Sequence, residues 1–189
     1  MAARKKQQKA RRAVRPKGFL TLFSEAVSFA ARAHQGQLRR DGKTPYISHP
    51  FRVAFTLRHL LGVTDESALI AAVLHDIFED TLRDFEDVEE KFGAEVAVFV
   101  ALLSKDNRLP ERLRESVYLA QLKKAPVMVK LIKAADLYDN LQDSVATLPE
   151  KRAKFLAMAR EWIRVCKAEK HPQLTQAAGL LESAIKNSA

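Results

Sequence analysis

Cysteine is nearly missing from these 189 residues, with Cys166 standing alone. A lone thiol excludes a disulfide within the chain and a cysteine-cluster zinc site, and it agrees with a reducing cytoplasm. Glycine and proline are scarce too, six and seven respectively, which describes a globular, helical protein and argues against disorder over most of its length. No run approaches the roughly 18 apolar residues that a spanning helix requires, and the first residues lack the apolar core of a secretion signal. No membrane partner is expected, and nothing sets an oligomeric state. Acid is absent from residues 1–18, which hold Arg4, Lys5, Lys6, Lys9, Arg11, Arg12, Arg15 and Lys17. The remaining 171 residues carry 24 basic and 23 acidic side chains, so the formal net charge of +9 belongs to that arm.

An arm with so little apolar content is expected to stay solvated. It could bind nucleic acid by neutralising phosphates or serve only as a solubilising extension. Residues 19–189 then form one domain with nearly half of the chain's residues apolar, enough for a sizeable core. Phe19, Leu22, Phe23, Ala26, Val27, Ala30 and Ala33 recur at spacings of three and four, which predicts a helix closed by Gly36. Residues 37–48 read as a polar loop, with Asp41-Gly42 as its turn. Pro50 opens a second helix that stops at Gly62, and Thr64 or Asp65 caps a third. Further helices are expected over 85–92, 94–103, 111–122, 127–141, 149–170 and 172 onward, Pro126, Pro149 and Pro172 marking three of the starts. No alternating strand pattern and no repeat occurs. The expected fold is all-α, a single bundle of roughly eight or nine helices.

The third helix is expected to end in the cluster Leu74-His75-Asp76-Ile77-Phe78-Glu79-Asp80-Thr81. On a continuous helix, His75 would stack with Glu79 and Asp76 with Asp80. Buried charges must be paired or bound to metal, so this cluster reads either as a polar helix end or as half of a metal site. Two other placed groups bear on the choice. His49 sits where loop becomes helix, locked by Pro50, and Asp136 lies between Ala134-Ala135 and Leu137 inside an apolar helix. Singly, His49 could bond a helix end and Asp136 could pair with Lys130 or Lys133. Together, two imidazoles and two carboxylates make a mixed N/O set suited to Mn²⁺, Fe²⁺ or Zn²⁺.

His49, His75-Asp76 and Asp136, in that order, resemble the H…HD…D pattern of the HD phosphohydrolase superfamily. More narrowly, the chain resembles the hydrolase domain of RelA/SpoT alarmone enzymes and the stand-alone small alarmone hydrolases. The resemblance is carried by Ala33-His34-Gln35-Gly36-Gln37, Arg39-Arg40, Pro45-Tyr46-Ile47-Ser48-His49-Pro50, Leu74-His75-Asp76 with Glu79-Asp80-Thr81, and Lys133-Ala134-Ala135-Asp136 with Asn140. It spans roughly residues 20–145.

The resemblance implies an HD-domain helical bundle and a Mn²⁺-dependent hydrolase, with another divalent transition metal as the alternative. It implies removal of the 3′-diphosphate from ppGpp. By position, His49, His75, Asp76 and Asp136 would hold the metal. Glu79 and Asp80 would orient or deprotonate the attacking water. Arg39 matches a nucleobase-packing arginine, with one residue inserted before Tyr46, and Asn140 matches a nucleotide contact. Tyr46 joins the substrate-binding set, and Arg40, Lys43 and Lys133 are expected phosphate contacts. Three positions depart from the family pattern: Leu137 and Gln142 replace basic residues, and Asp139 replaces a His or Tyr. They are expected near the nucleotide pocket, where they would alter base preference or favour a less charged substrate. The rival readings are an HD hydrolase of adenine alarmones or of another phosphorylated nucleotide or cofactor, and a silent nucleic-acid-binding helical protein.

Overall fold

A computed structural model of the chain describes residues 18–143 and 149–187. The arm expected over residues 1–18 therefore lies outside the described residues except for Gly18. Among the described residues the elements are α1 (Phe19–Ala33), α2 (Ser48–His59), α3 (Glu66–Leu74), α4 (Ile77–Asp80), α5 (Phe85–Phe92), α6 (Ala94–Leu103), α7 (Glu111–Lys124), α8 (Val127–Asp143), α9 (Pro149–Ala168) and α10 (Pro172–Asn187). The only β feature among them is one isolated bridge, Leu38 to Pro45. The all-α reading holds: nine helices of eight residues or more, plus the single turn α4.

Local chemistry sets the boundaries. The Asp65 carboxylate accepts from Ala68 N at 2.7 Å and caps α3. Asp84 does the same for α5 through Asp87 N at 2.9 Å. Gly93, at φ +92°, turns the chain between α5 and α6 in a conformation an L side chain resists.

Residues 68–74 of α3 are all buried, so this helix has no solvent face and forms the axis of the core. It packs against α1, α2, α6 and α8. On the other side α8 lies against α2, α9 and α10. Fully buried Trp162 joins α9 to α8, its Nε1–H donating to the Lys130 carbonyl at 3.2 Å. Truncating such a tryptophan to alanine costs about 3–5 kcal/mol.

The structure corrects one expectation here. The third helix ends in the cluster as expected, but ahead of its acids, so the pairs do not share one continuous helix: α3 ends at Leu74, Asp76 leaves helical geometry at φ −97°, ψ 2°, and α4 starts anew at Ile77. The last turn of a helix leaves carbonyls unbonded, and His75 Nδ1–H donates to that of Ala72 at 2.9 Å. The imidazole thus closes its own helix end. The expected stacking of His75 on Glu79 is lost, and His75 turns instead toward α2 and α8.

Candidate metal and nucleotide site

Three elements meet at one point: the first turn of α2, the end of α3 and the middle of α8. His49 comes from α2, His75 and Asp76 from the α3–α4 turn, and Asp136 from α8. One ligand atom from each of His49, His75 and Asp136 lies within 4.8 Å of the others, and all three residues are buried. His49 Nε2 is 3.2 Å from Asp136 Oδ1, and His75 Nε2 is 3.7 Å from the same oxygen. Asp76 adjoins this trio, its Oδ2 3.0 Å from His75 Nε2 and 3.6 Å from His49 Nε2.

Both rings are oriented from behind. His75 spends its Nδ1–H on Ala72, and its Nε2 is buried without a hydrogen-bond partner. His49 donates Nδ1–H to Asp139 Oδ2 at 2.6 Å. Each ring thereby presents Nε2 to the same space, the arrangement in which an imidazole ligates a metal. An orphaned buried nitrogen beside two carboxylates fits a divalent cation held by nitrogen and oxygen.

The charges agree. Burial opposes ionisation of Asp136, but the Lys133 ammonium, 2.7 Å from Oδ2, holds its carboxyl well below the usual range. Burial likewise opposes ionisation of Asp76, and the neighbouring His75 outweighs it. Burial disfavours a charged His75, yet Asp76 and Asp136 push its pKa well above the ordinary value. The two carboxylates thus favour a positive charge at the point where the ring nitrogens converge.

Around the trio lies a cavity of about 370 Å³. Its wall includes Arg39, Arg40, Tyr46, Glu79, Asp80, Lys133 and Asn140 beside His49, His75, Asp76 and Asp136. Glu79 Oε1 accepts from Lys105 N at 2.7 Å. Burial, followed by the Asp76 charge, raises the Asp80 pKa; burial also raises that of Glu79, against the Lys105 bond. Tyr46 donates its hydroxyl to Asp76 Oδ2 at 2.6 Å and reaches Asp80 Oδ2 at 3.1 Å. Burial and Asp76 keep that phenol protonated.

The arginines are braced. Arg39 is buried, pairs with Asp143 at 2.7 Å and lies 5.5 Å over the Tyr46 ring. Arg40 covers the Phe155 ring at 4.2 Å. Asn140 is committed on both sides: Nδ2 donates to Asp136 Oδ1 at 2.5 Å, and Oδ1 accepts from Arg39 at 3.3 Å and Arg40 at 3.4 Å. Lys43 is not brought to the cavity. The Asp41 carboxylate takes the N–H groups of Lys43 and Thr44, both at 2.9 Å, closing a turn that leaves Lys43 exposed.

Sequence reasoning overlooked Lys105, Tyr118 and Phe155, which line the cavity. Lys105 and Lys133 each approach the Tyr118 ring at 5.4 Å. All three overlooked residues also face an adjoining cleft of about 580 Å³ whose wall includes Leu119, Leu137 and Met158. The metal-like trio thus opens on a charged chamber that continues into an apolar one.

The family described as HD domain matches residues 26–165. This chain belongs to the HD-domain family. HD hydrolases are metal-dependent, and the His-His-Asp trio of this chain could bind such an ion. The guanosine-3′,5′-bis(diphosphate) 3′-pyrophosphohydrolase MESH1 of Xenopus tropicalis is 42% identical over 130 residues, covering 68% of this chain and 73% of that protein. The bifunctional (p)ppGpp synthase/hydrolase SpoT of Escherichia coli (strain K12) is 33% identical over 156 residues, 79% of this chain but 21% of the larger enzyme. A solved structure described as a metazoan ortholog of SpoT that hydrolyses ppGpp superposes with a TM-score of 0.78 at 29% identity, covering 93% of this chain and 98% of the other.

Proposed function

We propose that this protein is a metal-dependent (p)ppGpp 3′-pyrophosphohydrolase, acting in the cytoplasm through residues 19–189. The observation that carries the reading is the orphaned His75 Nε2 facing His49 and Asp136 inside a cavity that also holds Glu79 and Asp80. The sequence relationship to proteins named for this activity supports the substrate.

His49, His75 and Asp136, with Asp76 beside them, would hold the ion, and Mn²⁺ suits their mixed donors. When bound, such an ion lowers the pKa of water and withdraws charge from a phosphoryl oxygen. The residues of the chain do the rest. Glu79 and Asp80, with raised pKa values, are poised to accept the proton of a water attacking the 3′-α phosphorus, so that the ribose O3′ leaves and pyrophosphate is released. Lys133 and Arg40 line the wall where a diphosphate would lie, and Lys105 adds a third cation. Arg39, fixed by Asp143, offers a flat face to a base. The apolar cleft beyond Tyr118 gives the nucleoside room.

A second reading keeps the metal and changes the nucleotide. Leu137 in the apolar cleft and Gln142 in a separate pocket beside Arg39 and Arg40 stand in place of basic residues; the lower charge favours a less charged phosphorylated nucleotide, and the altered side chains a different base preference, as in an adenine alarmone. Incubating the Mn²⁺-loaded protein with ppGpp, pppGpp and their adenine counterparts decides between them. Pyrophosphate with GDP from ppGpp is the expected product. Turnover of the adenine compounds alone would favour the second reading, and no turnover of any would overturn both.

A further inference from the structure

Asp139 was expected beside the nucleotide, where an acid in place of His or Tyr would change substrate choice. Its side chain is elsewhere. Asp139 is buried, is not part of the cavity wall, and lies behind His49. Asp136 and Asp139 stand one turn apart on α8 and so share a face. The His49 ring lies between them, Nε2 at 3.2 Å from Asp136 Oδ1 and Nδ1 at 2.6 Å from Asp139 Oδ2. From α2, one turn past His49, Arg52 grips the back of the same carboxylate. Its Nε donates to Asp139 Oδ1 at 2.5 Å and its Nη2 to Oδ2 at 2.9 Å, a two-pronged contact that fixes the plane of the carboxylate. The same Nη2 reaches Asp143 Oδ2 at 3.1 Å, and Asp143 in turn holds Arg39 at 2.7 Å.

We propose that Asp139 and Arg52 are positioning residues for the metal centre, resting on the hydrolase reading above: together they fix the tautomer and tilt of His49 so that Nε2 faces the ion. The departure at 139 then serves metal binding and leaves substrate choice to other groups. Asp139 and Arg52 belong together, because a buried carboxylate at 139 without a cation would carry an unpaired charge. The chain from His49 through Asp139, Arg52 and Asp143 to Arg39 also ties the ligand to the arginine expected to pack the base.

The test measures metal directly, on the full-length protein. Calorimetric titration of the metal-free form with Mn²⁺ should show affinity about 10–100-fold weaker in Asp139→Ala than in wild type, the usual loss when an outer partner of a ligating histidine is removed. Asp139→Asn keeps an acceptor oxygen and should recover most of that loss. In ¹⁵N-histidine spectra of metal-free protein, the Nδ1–H signal of His49, assigned by its disappearance in His49→Ala, should move or vanish in Asp139→Ala. At saturating Mn²⁺, KM for ppGpp should stay within roughly twofold of wild type, since no substrate contact is removed. If circular dichroism shows Asp139→Ala unfolded, Arg52→Ala takes its place, with weaker Mn²⁺ binding expected. Unchanged Mn²⁺ affinity with a raised KM would overturn the proposal and return position 139 to the substrate. Wild-type protein that binds Mn²⁺ but leaves ppGpp intact would refute the substrate reading alone, with the titration still deciding this one. Wild-type protein that binds no divalent ion would remove both.

Discussion

The hydroxyl of Tyr46 bridges Asp76 and Asp80, at 2.6 Å and 3.1 Å. One carboxylate adjoins the His49–His75–Asp136 trio and the other is one of the two acids proposed as the base, so a single phenol spans both groups. Its ring is held between His34, 4.7 Å away, and His49, 5.8 Å away. Substrate binding, the role the sequence suggests for Tyr46, is at most part of its work.

Tyr46→Phe removes that hydroxyl and keeps the ring. Asp76 and Asp80, both partly solvated, then repel each other without a shared donor. The expected outcome is Mn²⁺ binding close to wild type and kcat lowered roughly tenfold, with little change in KM, because the lost contact orients reacting groups. A KM increase with kcat intact would show instead that the hydroxyl contacts substrate.

The paired substitution Glu79→Gln and Asp80→Asn separates binding from chemistry. Turnover should fall by a factor of about 10² or more, as for loss of a general base, while metal content stays near normal. Both acids have raised pKa values, so each favours the fold when protonated. That contribution is present below the unfolded pKa and is lost as pH rises through the folded value. Neutral replacements should therefore leave Tm at pH 7 unchanged or higher. A fall in Tm together with lost metal would make these acids structural supports.

How far the sequence reaches depends on whether a feature is local. Helix starts at Pro149 and Pro172 and the cap at Asp65 are set by neighbours in the chain, and they stand where the pattern puts them. Asp136 was legible because an acid amid Ala134, Ala135 and Leu137 needs a partner. The break at His75-Asp76 was not: no Gly or Pro marks it, and its cause is a side chain bonding Ala72 O. The face of Asp139 depended on how α8 crosses α2, which no spacing within α8 reveals. Lys105 sits in a polar loop with nothing to distinguish it from Lys43, yet the N–H of Lys105 donates to Glu79 at the cavity wall and that of Lys43 to Asp41 in an exposed turn.

The charge asymmetry gives a prediction about residues 1–17, which lie outside the described residues. Deleting them removes eight positive charges and none of the site residues. Intrinsic kcat and Tm should barely change. If the arm neutralises phosphates, binding of a generic RNA or DNA duplex to the full chain should weaken with salt, with a log–log slope of about −0.7 to −0.9 per contact. If it instead attracts an anionic substrate, deletion should raise KM at low salt and not at high salt. A drop in kcat at saturating substrate with metal still bound would contradict both.

Metal binding should strengthen with pH, and the sign follows from His75. Its folded pKa is raised well above 6.5 by Asp76 and Asp136 despite burial. In the metal-free protein this contributes stability that is complete below 6.5 and lost as pH rises through the folded value. The depressed pKa values of Asp76 and Asp136 contribute stability above 3.8 that is lost as pH falls through their folded values. The metal-free fold should thus be most stable in mildly acidic solution, where a proton on His75 stands in for the ion. Binding must expel that proton, so apparent Mn²⁺ affinity should rise by up to about tenfold per pH unit until His75 deprotonates unaided. At a hundredfold excess over Kd the ion adds about 2.7 kcal/mol, or roughly 5–10 °C in Tm for a chain of this size. Scanning calorimetry at fixed Mn²⁺ should therefore show a larger metal-induced rise in Tm at pH 8 than at pH 5.5. His75→Ala should abolish the rise at both. An equal rise at the two pH values in wild type would mean that His75 holds no proton for the metal to displace.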